Sequence, residues 1–135
     1  MSNNPRDPLV TISGLCRYTA AFIWGYQGLV PKLLGPHTDE IALIRASGLP
    51  GEHAVRIAQL AGISELALAF ALLLYGAHEW PHWVAILTLL AFLLMVCVYA
   101  PQYLSGAFNP VAMNISLGML SVVSVAAMRA KVQRQ

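Results

Sequence analysis

Charge is what this chain has least of. Only 10% of its 135 residues are Asp, Glu, Lys or Arg, against roughly 25% in a typical soluble domain. Hydrophobic residues make up 58%, so the chain cannot cover its own surface with polar groups and lipid is its expected solvent. A net charge of +2, with no basic patch interleaved with aromatics, argues against nucleic acid as a partner. Cysteine is scarce too. Cys16 and Cys97 form no C-x-x-C and read as small buried apolar residues. A Gly-rich phosphate loop, a catalytic serine motif and histidines spaced to hold haem are all missing. The start, MSNNPRDP, is polar, and the first apolar run is too long for the core of a cleaved signal peptide, so the first span is expected to stay in the mature protein.

What is present is a series of apolar runs. An α-helix rises about 1.5 Å per residue, so some twenty residues match a hydrocarbon core of about 30 Å. The pattern predicts an all-α chain, a single integral membrane domain over 1–135, with spans at about 12–34, 54–75, 81–100 and 109–128. Residues 1 to about 8 read as a polar tail. In the first span Gly25 and Gly28 thin one side for a neighbouring helix. Pro31 is expected to end or bend that helix, and Lys32 to snorkel to the headgroups. Between the first two spans, Thr38 reads as an N-cap, with Asp39 and Glu40 in the first turn and Gly48 and Pro50 as the stop. This predicts a short amphipathic helix on the membrane or capping the bundle. The third span carries no charge and is expected to be the most lipid-exposed. Asn109-Pro110 reads as the cap and first position of the fourth. Its Asn114, Gly118 and Ser121 share a face suited to close packing.

Glu65 is the anomaly. It sits near the middle of the run AVRIAQLAGISELALAFALLLY, where a carboxylate costs a few kcal/mol. Counted by depth, Gln27 and Tyr26 of the first span and Asn114 of the fourth lie within one or two turns of it. The long side chain of Arg17 is expected to reach toward the same level. The reading is therefore a polar cluster of Arg17, Gln27, Glu65 and Asn114 with Trp24 or Tyr26 as wall. Asn109 could add to the pocket mouth beside its capping role. The bland alternatives are an ion pair that only registers helices, and an Arg17 that only marks the interface. His78, Glu79 and His82 spell H-E-W-P-H, but Pro81 within the motif argues against a helical zinc site, so no metal is expected.

Two stretches, IWGYQGLVPKLLGPHTDEIALIRASGL over 23–49 and FNPVAMNISLGML over 108–120, resemble the DoxX-like family of small bacterial membrane proteins. The resemblance implies a four-helix transmembrane bundle in the bacterial inner membrane, and association with quinone-linked redox complexes. Arg129, Lys131, Arg134 and Arg6 gather on the side of the two termini. Lys32, Arg45 and Arg56 on the other side are mixed with acids, so both termini are expected in the cytoplasm. The leading expectation is a multi-pass protein that binds a small hydrophobic molecule such as a quinone near Glu65, or serves as the membrane subunit of a redox complex. The competing readings are a structural or assembly factor for another membrane protein, and a small transporter or channel formed by a homo-oligomer.

Overall fold

The computed structural model describes residues 7–106 and 109–134. Most of the polar tail expected at the N-terminus, Arg6 included, lies outside the described residues, as does Phe108. Five α-helices and no strand occur among the described residues.

Helix α1 covers Pro8–Gly28. Asp7 caps it by accepting from the Leu9 amide at 2.9 Å, and Pro8 takes a position whose amide would have no partner. Past Gly28 the winding widens into a π-helical segment, Leu29–Leu34. Pro31 supplies the reason: in α winding its ring would clash with the carbonyl four residues back. The proline thus loosens the helix rather than ending it. Helix α2, Thr38–Ala46, starts one residue earlier than expected, because His37 is the cap and its Nδ1 accepts from the Asp39 amide at 3.3 Å. It stops just before Gly48, whose φ of 80° suits glycine. Ile44 of α2 packs on Ala54 and Ala58, with Ile41 and Ile57 around them. The amphipathic helix therefore sits on the start of α3, Ala54–Leu74.

Helix α4 is Trp80–Tyr99. A 3-10 segment, Pro101–Ser105, leads toward α5, Pro110–Gln133, which runs past the expected end near 128. Helix α1 packs against both α3 and α5, α4 against α5 and more lightly α3, and α2 against α3 and α4. The main core joins Ala20, Ala21 and Trp24 of α1 to Leu68, Ala69 and Leu72 of α3, Ala85 and Leu89 of α4 and Leu117 of α5. Its many alanines let helix axes approach, which in lipid replaces the hydrophobic drive with van der Waals contact.

Three stretches are long and apolar enough to cross a membrane: Gly51–Leu74, α4 and α5. Helix α1 has the length, at 21 residues, but Arg17 and its hydroxyl-bearing residues keep its mean hydropathy lower. Of the three, α4 is the least covered, with 22% of its apolar window buried against 33% and 28% for the others. Cys97 lies on its exposed surface, not in a core as expected, while Cys16 is half-buried and both thiols are free.

Candidate functional site

Helices α1 and α3 come together through two glycines. A Cβ on Gly62 would stand 2.7 Å from the Gly28 carbonyl oxygen and 2.8 Å from Lys32 Cβ. With no side chain at Gly62, the stem of Lys32 runs inward across α3. Lys32 lies one turn past Gly28 on the same face, in the widened segment Leu29–Leu34. Lys32 is only 5% exposed and Glu65 2%, and the two form a buried ion pair through Glu65 Oε1. Lys32 therefore does not snorkel to the headgroups. The cost of burying its ammonium is offset by Glu65 and by Glu40 of α2, whose Oε1 lies 3.5 Å away. The Phe92 ring adds a cation–π face, 5.1 Å from Nζ.

The result is a carboxylate–ammonium–carboxylate series that runs from the partly exposed Glu40 to the buried Glu65. With all three ionised its formal charge is −1. Glu65 Oε2 is buried with no hydrogen-bond partner, so one acceptor of the centre is unused. Helix α2 completes the series and covers it. Near α2, the Tyr103 hydroxyl donates to Asp39 Oδ1 at 3.4 Å, tying the 3-10 segment to that helix.

The expected partners of Glu65 are elsewhere. Arg17 places its guanidinium against Gly76, eleven residues beyond Glu65, or roughly 16 Å along a helix. Gln27 turns toward α5 and donates to Met113 Sδ at 3.3 Å. Tyr26 is exposed on the outside of α1. Trp24 is buried in the apolar core with its indole N–H unpaired. Asn114 lines an apolar groove of about 210 Å³ between α4 and α5, beside Leu89, Leu93 and Gly118. Asn109 is occupied as a cap: Oδ1 accepts from the Ala112 amide and Nδ2 donates to the Gly106 carbonyl, each at 3.0 Å. Depth was not the difficulty: Tyr26 and Gln27 lie within a turn of Gly28, whose added Cβ would stand 3.1 Å from Glu65 Cβ, but their side chains leave the helix on other faces.

A second polar layer lies at the opposite end of the bundle, beyond the apolar core. His82 is 1% exposed. Its Nε2 meets Ser124 Oγ at 3.0 Å, and Ser124 meets Ser13 Oγ at 3.0 Å. Nearby, Arg129 donates twice to Glu79, through Nε at 2.9 Å and Nη2 at 2.7 Å. Those bonds hold the Glu79 carboxyl below the usual carboxylate range. The H-E-W-P-H residues thus face different partners: His78 stacks edge-on near Tyr75, Glu79 takes Arg129, and His82 takes Ser124. Pro81 falls in the first turn of α4, where it starts a helix rather than breaking one. Among the described residues no group of three or more His, Cys, Asp or Glu side chains is placed to hold a metal ion.

Sequence reasoning missed Lys32, Glu40, and the Ser13–Ser124–His82 chain. One signal was available. Ser13, Arg17, Trp24, Gly28 and Lys32 recur at helical spacing, so they share a face of α1, and Lys32 belongs to the stripe that packs inward.

Comparison with known proteins agrees with the all-α membrane architecture. No curated protein and no solved structure matches the chain. The model of the DoxX-like family matches it over residues 21–122. That span includes the end of α1, all of α2, α3 and α4, the first half of α5, and both residues of the buried ion pair. The chain is a membrane protein that belongs to the DoxX-like family.

Proposed function

We propose that α1, α3, α4 and α5 cross the bacterial inner membrane as a four-helix, multi-pass bundle. Helix α2 then lies at the outer face and both termini in the cytoplasm. Two observations support this. Helix α1 packs along α3 and α5 as a bundle member would. The basic residues Arg129 and Arg134 lie at the end of α5.

Within that bundle, the Lys32–Glu65 centre binds the polar head of a small hydrophobic molecule of the quinone class. The observation that carries this reading is the unused Oε2 of Glu65 beside a buried ammonium, with Glu40 leading to the surface. A mid-membrane charge is costly and marks a functional site by default. Reduction of a quinone to a quinol takes up two electrons and two protons. Here Lys32 donates a hydrogen bond to a carbonyl oxygen. Glu65 Oε2 accepts one from a hydroxyl, and Glu40 exchanges protons with the surface. The electrons belong to a partner redox protein in the membrane, for which this chain is the binding subunit.

The test uses the full chain in lipid nanodiscs. Bound quinone is extracted and quantified, and a short-chain quinone is titrated by calorimetry. Saturable binding is expected, weakened tenfold or more in Glu65→Gln at unchanged helicity. A second reading is a structural lock, favoured by the close Gly28–Gly62 contact and by Lys32 filling the space beside Glu65. It gains if the wild-type protein binds no quinone and Glu65→Gln alters only thermal stability.

A further inference from the structure

The end of the bundle formed by residues 75–79 holds a cation without an anion. Arg17 lays its guanidinium over Gly76, where an added Cβ would collide with Nη1, so the glycine leaves it a cradle. Among the described residues no carboxylate pairs with it. Glu79, the acid of that turn, is taken by Arg129. Arg17 has the Tyr18 ring 4.7 Å from Cζ, but its Nε is buried with no hydrogen-bond partner.

His82 sits close enough to feel the Arg17 charge. Its Nδ1 is also buried and unpartnered. The Ser124 hydroxyl has two acceptors in reach, the Ser13 carbonyl at 3.3 Å and Nε2 at 3.0 Å; when it donates over the shorter distance the ring proton is on Nδ1, and that nitrogen becomes a second unmet donor. Buried donors without acceptors are costly, and a buried cationic donor more so. His82 also lies in the first turn of α4, where the helix dipole favours negative charge. These features point to one missing partner, an acceptor with negative charge.

We infer that Arg17 and His82 together bind a single phosphate-class oxyanion at this end of the bundle. Its depth fits that chemistry. Gly76 is two residues past the end of α3, and His82 opens α4, so the site lies where two apolar helices end. Lipid phosphates lie at that level of a bilayer. The same group also exists as free phosphate in the adjoining water.

The test needs no variant to begin. The full chain is placed in a phosphate-free maltoside detergent, and the ring nitrogen signals of His82 are followed by NMR. One arm adds phosphatidylglycerol and the other inorganic phosphate. A saturable shift of the His82 signals in either arm is expected, and the arm that responds identifies the source. Arg17→Gln should weaken the effect tenfold or more. Gly76→Ala keeps every charge but displaces the guanidinium, and should weaken it as well. Unshifted His82 signals in both arms, or equal affinity in the folded Arg17→Gln protein, would overturn the assignment.

Discussion

Gly28 and Gly62 meet backbone to backbone. A Cβ on Gly28 would stand 2.6 Å from the Gly62 carbonyl oxygen, and one on Gly62 would stand 2.7 Å from that of Gly28. Each glycine precedes a charged residue by one turn or less, Lys32 on one side and Glu65 on the other. The contact therefore sets the distance across which the two charges find each other. Gly62→Ala should push α1 from α3 and cost about 1–3 kcal/mol, as overpacking generally does. Thermal denaturation in detergent measures it. A melting temperature equal to wild type would show that the helices are free to part.

Removing one member of the buried pair should cost more than removing both. Lys32→Met leaves Glu65 uncompensated and should lose about 3–5 kcal/mol. The double variant Lys32→Met with Glu65→Leu should recover most of that loss. A double-mutant cycle of unfolding free energies provides the check. Additive effects would mean that the two residues do not interact.

Asn109 should behave as a cap. Asn109→Ala is expected to cost about 1 kcal/mol, while Asn109→Asp retains most of the stability. Hydrogen exchange of the Ala112 amide, which the Asn109 side chain accepts, should quicken in the alanine variant only.

The Glu79–Arg129 pair should make stability depend on pH at the acid end. Its hydrogen bonds to Arg129 hold the Glu79 carboxyl below its ordinary value of 4.5. A depressed carboxylate contributes stability that is fully present above that value and fades as pH falls through the lower, folded one. Arg129→Ala should therefore melt earlier than wild type at neutral pH, and the two curves should converge in strong acid. Added salt should narrow the difference as well, because the pair is exposed.

Much of the fold was legible because apolar runs and punctuation agree. The start of α3 at Ala54, the proline-led start of α5, and Gly48 after α2 follow from local rules that no tertiary contact overrides. Glu65 was legible for a different reason, since a carboxylate at that depth conflicts with its surroundings. Its partner was not. Lys32 follows a proline near the end of a span, which is where a lysine that reaches for water also sits. Three features move it inward, and each depends on parts of the chain distant in sequence. The glycine that admits its stem is on α3, the Phe92 ring that faces it is on α4, and the second carboxylate arrives with α2. Ser13 and Ser124 are 111 residues apart, so their contact could not be read from spacing at all.

The π-helical turns at Leu29–Leu34 have one more consequence. Local widening of a helix has the geometry of a one-residue insertion, and it rotates everything downstream relative to everything upstream. Lys32 keeps the face of Gly28 in either winding, one turn further on, so the pair itself does not depend on the wider turn. What the rotation re-aims is the chain beyond Leu34, and with it α2, the helix that carries Glu40 to the ammonium.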